Sequence, residues 1–312
     1  RIENGMIKKT KDGLTRGIIM EAFDFGLLEN DLIELEHNLR KYGSKPVKDE
    51  ISLNQLFIDH LASGGSRTRA VLALAAGHSQ SLEKAARLSI ATSVELLHQA
   101  SLIHDDVQDE DSIRRGQAAV WTVAGKSSAI CLGDDLIGAA FEELAQLPAR
   151  YIHHLPRLVT LLSRGISVMA AGQTIDCQWT PESRISFDDY EQIVRHKSGP
   201  LLGLPIAMVL AIADGSDEDV LQVLAGASSI GVAYQLADDL SDQAEDFNQR
   251  LNGYWVLADN LIDGSDPEVA LRERFDWHLE NARQRVRTLP PFCIEAFEVL
   301  IQARHQKYPT FQ

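Results

Sequence analysis

Asp105, Asp106 and Asp109, in the stretch SLIHDDVQDEDSIRRG, are spaced to hold a metal ion. On a helix, positions i and i+4 share a face and i+1 flanks it, so three carboxylates at this spacing are expected to converge on one cation. At a helix C-terminus they also meet the negative pole of the helix dipole, an arrangement that repels them unless a positive charge intervenes. A hard divalent ion with oxygen ligands, Mg²⁺ before others, supplies that charge. The pattern returns at Asp238, Asp239 and Asp242 in DDLSD. One such cluster is ordinary in an acidic chain, but two closing apolar helices suggest a carboxylate-lined mouth over an apolar floor. Arg114 and Arg115 follow the first cluster, and Arg67 and Arg69 follow Gly64-Gly65. Guanidinium forks of this kind suit paired phosphate oxygens, although Arg67 and Arg69 taken alone read better as solvated residues at an ordinary Gly-rich helix connection.

Helices must position these groups. Ser81 to His104 is apolar on most sides, as a central helix is, and Val220 to Ala237 (VLQVLAGASSIGVAYQLA) repeats the pattern before the second cluster. Between them, periodicity predicts helices over Lys126–Leu147, Pro156–Gln178 and Phe187–Ala213, the last bent or broken by Pro200 and Pro205. Gln173 and Asp176 share a face of the second of these, and Lys197 stands just before the bend in the third. Asp134 and Asp135 read as packing or hydrogen-bonding residues. His104 reads as a hydrogen-bonding neighbour of the aspartates, since Mg²⁺ prefers oxygen. Towards the N-terminus, Ala22–Leu39 has helical periodicity, KYGSKPVKDE reads as a loop and Ile51–Ala62 as a short helix; beyond Asp242 the chain turns polar, then helical over Pro267–Thr288 and after Pro290-Pro291. With no period-2 run long enough for a strand, the expectation is an all-α fold: one domain over 1–312, many helices around a central apolar cavity, residues 1–50 peripheral.

Composition narrows the partners. With 45% hydrophobic and 24% charged residues over 312 positions, a sizeable core is available. The formal charge of −15 argues against nucleic acid and against docking on anionic lipid by charge alone. Cys131, Cys177 and Cys293 show no metal or disulfide spacing, and the first residues carry no secretory pattern, so a cytoplasmic protein is expected. The longest apolar run, 201–213, is too short to span a bilayer.

The stretch ELLHQASLIHDDVQDEDSIRRG resembles the first aspartate-rich motif and arginine pair of the trans-isoprenyl diphosphate synthases, or polyprenyl synthetases. YQLADDLSD, with Tyr234 and Gln235, is similar to the second motif. GQTID at 172–176, HKSG around Lys197 and ICLGDDLIGAAFEEL resemble intervening elements, so the likeness runs from about Ser63 to Asp242. It implies a Mg²⁺-dependent enzyme that ionises an allylic prenyl diphosphate. Asp105, Asp106, Asp109 and Asp238, with Asp242, would hold Mg²⁺ directly or through water. Arg114, Lys197 and Gln235 would touch the diphosphate, with Gln173 and Asp176 beside the substrate. Small residues at Ala100 and Ser101, where large aromatics close the family's tunnel, imply a chain of geranylgeranyl length or longer, with Leu97 the next stop. Homodimers are usual in the resembled family.

The departures from that family concern its second diphosphate site, built from a Gly-Gly-Lys-Arg element, a downstream histidine and the second arginine of the pair. Ser66 stands at the lysine position and Trp121 at the histidine position, while Arg67 and Arg115 remain. Two missing donors to a charged group, at about 1.5–3 kcal/mol each, would weaken isopentenyl diphosphate by roughly two orders of magnitude or more. No lysine occurs from Asp238 to Asp276. Against this stands a reading in which Arg67, Arg69 and Arg115 still suffice. Prenyl transfer therefore competes with intramolecular quenching, as in a terpene synthase. A non-catalytic partner subunit, and an HD-type phosphohydrolase suggested by His104-Asp105, explain fewer of the motifs.

Overall fold

Helices account for nearly all of the described structure, as the lack of long alternating runs implies. The structure, a computed structural model, describes residue 23 and residues 25–43, 52–261 and 264–308. Ala22, Ile51 and most of the expected KYGSKPVKDE loop lie outside these. Twelve α-helices and one 3-10 helix occur among the described residues, and the chain divides into two compact units, one reaching to Val159 and one from Thr160 onward.

The first unit holds α1 (Phe25–Leu39), α2 (Leu53–Ala62), α3 (Thr68–Ser79), α4 (Lys84–Gln108), α5 (Val120–Ala124) and α6 (Lys126–Ala145). Its axis is α4, buried almost without interruption from Ala86 to Leu97 and packed on α6 and α3. The apolar all-round pattern in sequence is thus that of a core helix. Between α4 and α5 lies a hairpin, β1 (Ile113–Arg114) and β2 (Gln117–Ala118), whose two-residue turn is Arg115-Gly116. Both turn residues have positive φ, 52° and 79°, as a tight hairpin matched to strand twist requires. Two residues per strand cannot show a period of two, so this element was not legible in the sequence.

The boundary falls early in α7 (Leu155–Gln178), and the second unit continues with α8 (Phe187–Ile212), α9 (Asp217–Asp246), α10 (Gly253–Asn260), α11 (Pro267–Val286) and α12 (Pro291–Lys307). Capping boxes start α8 at Ser186/Asp189 and α9 at Ser216/Asp219, and Asp266 caps α11 with Pro267 in its first turn. Two expectations are corrected here. Pro200 and Pro205 lie inside one uninterrupted α8, both buried against the core, where packing outweighs the lost backbone bonds. The second aspartate cluster does not end its helix either: α9 continues to Asp246. By length and composition, residues 149–178 and α9 could each cross a membrane, but 61% of the apolar window of α9 is buried within the protein, as in a core helix.

Candidate active site

The first cluster occupies the last turns of α4, and the structure separates its three members. Asp106 is buried, and its Oδ1 accepts from Arg114 Nε at 2.8 Å and from Arg114 Nη2. Burial raises its carboxyl above the usual range while Arg114 pulls the other way. Its Oδ2 has no hydrogen-bond partner among the described residues. Asp105 and Asp109, one helical turn apart, are half-buried. Successive helical residues point about 100° apart, which explains why Asp106 turns inward while its neighbour does not. Among the described residues no three His, Cys, Asp or Glu side chains stand together as a set that could hold a metal alone. With Asp106 held by Arg114, Asp105 and Asp109 form the half-buried pair of the cluster. Such a pair suits Mg²⁺, which is commonly held by one or two carboxylates together with substrate phosphates and water.

His104 is not aimed at this pair. Its Nε2 donates to the Ile130 carbonyl at 3.2 Å and lies 3.7 Å from Asp134, and a Cβ on Gly133 would come within 2.0 Å of it. Glycine at 133 is what lets α6 pass this close to α4.

Around the N-terminus of α3 the arginines divide. Arg67 is buried with a left-handed φ of 52°; its Nε donates to Glu36 at 2.7 Å and its Nη1 lies 3.5 Å from Glu95. Glu95 continues a buried chain, accepting from Gln99 at 2.6 Å, whose Oε1 in turn accepts from His60 Nε2 at 3.0 Å. Burial lowers His60 to about 4, so it is neutral and can donate only from this one nitrogen at a time. Arg69, by contrast, donates to His98 Nε2 at 3.1 Å. Burial and the nearby Arg69, Arg115 and Arg67 hold the His98 imidazole well below its ordinary value, so Nε2 is the acceptor and the proton sits on Nδ1, which has no partner among the described residues. Arg115 reaches back to the Gly64 carbonyl at 2.8 Å. Ser66 bonds Thr68 at 2.8 Å, and Trp121 donates to the Asp111 carbonyl at 2.8 Å. Sequence reasoning singled out the arginines but missed Glu36, Glu95 and His98, whose relation to them is a matter of helix packing.

Ala100 and Leu97 are buried in the same unit, and the half-buried Ser101 donates to the His98 carbonyl at 2.9 Å.

In the second unit the division within the aspartate pair recurs. Asp239 is buried and accepts from Tyr190 Oη, from the Gly253 amide at 2.6 Å and from Gln235 Nε2 at 2.7 Å. Burial raises its carboxyl to about 7 against these bonds. Gln235, expected at the substrate, is held on Asp239. Asp238 is half-buried and accepts from Tyr308 Oη at 2.5 Å, while Asp242 is exposed. Lys197 and Asp176 meet at 2.5 Å. They do so because α7 and α8 cross closely at Gly172, where a Cβ would come within 2.7 Å of the Lys197 amide nitrogen. Gln173, nearly buried, donates to Cys177 Sγ at 3.6 Å and keeps Oε1 without a partner.

The chain is similar to known proteins. The family model described as polyprenyl synthetase matches residues 51–252. Among curated relatives, a geranylgeranyl pyrophosphate synthase of Geoglobus acetivorans is 34% identical over 59% of this chain and 57% of its own length. A farnesyl diphosphate synthase of Bacillus subtilis is 26% identical over 81% of this chain and 88% of its own. The chain spans about three fifths of the length of the first curated relatives it matches. Among solved structures, a decaprenyl diphosphate synthase from Rhodobacter capsulatus aligns with a TM-score of 0.78 at 19% identity, over 95% of this chain and 99% of the other. The geranylgeranyl pyrophosphate synthetase of Geoglobus acetivorans gives 0.75 at 20% identity, over 94% and 99%. At these identities the structures speak for the fold alone.

Proposed function

This chain belongs to the polyprenyl synthetase family, and we propose that it is a Mg²⁺-dependent prenyltransferase acting on an allylic prenyl diphosphate, with a weakened site for isopentenyl diphosphate. The observation that carries this reading is the division of labour inside each aspartate pair. Asp106 and Asp239 are buried and occupied by Arg114 and by Tyr190, Gly253 and Gln235, which anchors each helix to its neighbours and leaves the half-buried Asp105 and Asp238 to act. Asp105 with Asp109 in one unit, and Asp238 with Asp242 in the other, would hold Mg²⁺ through carboxylate oxygens. When bound, Mg²⁺ supplies Lewis-acid neutralisation of the departing diphosphate.

The remaining steps belong to the chain's own residues. The allylic C–O bond breaks and its electron pair leaves with the diphosphate; the resulting carbon cation is attacked by the alkene of the acceptor, and a proton leaves the adjacent carbon to diphosphate. Lys197, oriented by Asp176, supplies a point charge for diphosphate. Ala100, small and buried on α4, suits a long chain, and the buried Leu97 one turn away adds apolar wall that excludes the water that would otherwise capture the cation.

Weakening of the isopentenyl diphosphate site is supported by Arg67, which is neutralised by Glu36 and Glu95, and by Ser66 and Trp121 at positions where lysine and histidine are expected. The same features favour a second reading, intramolecular quenching as in a terpene synthase. A homodimer and a reducing cytoplasmic setting belong to this proposal too; Cys131 and Cys177 are exposed free thiols. The test is incubation with geranyl, farnesyl and geranylgeranyl diphosphates and Mg²⁺, with and without isopentenyl diphosphate. Chain extension supports transfer, a hydrocarbon or alcohol without isopentenyl diphosphate supports quenching, and no diphosphate release from any substrate would reject both.

A further inference from the structure

The second aspartate cluster is covered by the end of α12 through two matched contacts. On α9, Tyr234 and Asp238 stand one turn apart on a common face, and Arg304 and Tyr308 have the same spacing at the end of α12. The Arg304 guanidinium lies 4.5 Å from the centre of the Tyr234 ring, and Tyr308 Oη donates to Asp238 Oδ1 at 2.5 Å. The Tyr234 and Tyr308 rings meet edge to face at 6.2 Å, tying the two contacts together. Arg304, in the last turn of α12, and Tyr308, its C-cap, are nearly buried, at 7% and 5% exposure.

Arg304 is the unusual member. Its Nε makes no hydrogen bond among the described residues, and no carboxylate there forms an ion pair with it. A buried guanidinium left without a counter-ion is strongly unfavourable, and the face of one aromatic ring compensates only part of that. It sits one turn from Tyr308, whose phenol already holds the candidate metal ligand Asp238. A bound anion beside Asp238 would complete its environment.

We propose that the end of α12 is part of the metal and diphosphate site of the second cluster: Tyr308 is a positioning residue that orients Asp238, and Arg304 supplies positive charge to the bound diphosphate. The inference rests on the reading of Asp238 as a Mg²⁺ ligand. Partners of this kind commonly change metal affinity by about 10–100-fold when removed, because they fix the ligand's orientation. The phenol is neutral, so it can hold one carboxylate oxygen while the other remains for the metal.

Isothermal titration with Mg²⁺ in the presence of inorganic diphosphate tests this on the full chain, without turnover. Asp238→Asn should lose the Mg²⁺–diphosphate signal. Tyr308→Phe, which keeps the ring packing, should weaken Mg²⁺ by about tenfold or more. Arg304→Met should weaken diphosphate by about tenfold or more, with Arg304→Lys recovering part of it, a rescue that a merely structural role would not give. Circular dichroism and melting confirm that each variant is folded; should Tyr308→Phe fail to fold, the Arg304→Met and Arg304→Lys pair still decides. Wild-type titration by Tyr308→Phe and Arg304→Met, alongside loss in Asp238→Asn, would overturn the inference alone. Wild-type titration by Asp238→Asn would overturn the metal reading of Asp238 and the inference with it.

Discussion

Arg114, on the first strand of the hairpin, closes on Asp106, eight residues earlier on α4, with Nε 2.8 Å from Oδ1. The contact holds the hairpin against the helix end that carries the first cluster. Breaking a buried pair by removing one partner typically costs about 3–5 kcal/mol, and Arg114's partial exposure discounts this to roughly 1–3 kcal/mol. Asp106→Asn should therefore lower the unfolding free energy from urea titration by that amount, seen as a lower midpoint. An unchanged midpoint would show that the pair contributes nothing to holding the hairpin.

Arg67 and Arg69 should separate by the kind of damage their loss does. Arg67→Met leaves Glu95 buried without its counter-charge, so stability should fall by about 3 kcal/mol or more in denaturant unfolding. Arg69→Met loses a hydrogen bond to the neutral His98, so stability should fall less, by about 1–2 kcal/mol, with a reduced response to isopentenyl diphosphate. Equal stability of the two variants would contradict the clamp on Arg67.

A buried ion cluster in the second unit makes a pH prediction. Burial alone would raise the Glu191 carboxyl, but hydrogen bonds from His278 and from Arg274, at 2.8 and 2.7 Å, outweigh it and lower the group to about 2. A carboxyl whose folded value lies below its unfolded one stabilises the protein above the unfolded value and loses that contribution as pH falls through the folded value. Stability should thus decline from about pH 4.5 towards pH 2 in the wild type. In Glu191→Gln the decline over this window should be shallower, measured by urea unfolding at each pH. Parallel curves for the two proteins would assign the acid sensitivity elsewhere.

Ala100→Phe places an aromatic ring where the chain has only a methyl group, on the buried face of α4. The preferred prenyl chain should shorten, read as a shift in product or substrate length by chromatography. An unchanged distribution would place the floor at another residue.

Much of this architecture could be read from residue order, and the failures have a common physical cause. The apolar all-round pattern of α4 and the small-residue pattern of α9 declare buried helices, and the aspartate spacings declare the candidate ligands. What residue order does not show is which carboxylate of each pair faces inward. That depends on Arg114 from a hairpin too short for periodicity, and on Tyr190 and Gly253, brought to Asp239 by packing of α8 and α10. Glu36 and Glu95 likewise reach Arg67 from other helices, contacts that residue order does not show. Pro200 and Pro205 do not break α8, because local backbone preference yielded to burial there.

The central claim is that both clusters, one on α4 and one on α9, are needed to ionise an allylic diphosphate. The most direct measurement is the rate of diphosphate release at saturating Mg²⁺ from the allylic substrate that turns over best, for the wild type, Asp105→Ala and Asp238→Ala, with folding verified by circular dichroism. Each variant should lose about a thousandfold in rate or more, equivalent to roughly 4 kcal/mol of barrier, while melting close to the wild type, and a chelator should abolish release by the wild type. Near-normal release by either folded variant would contradict the two-cluster account.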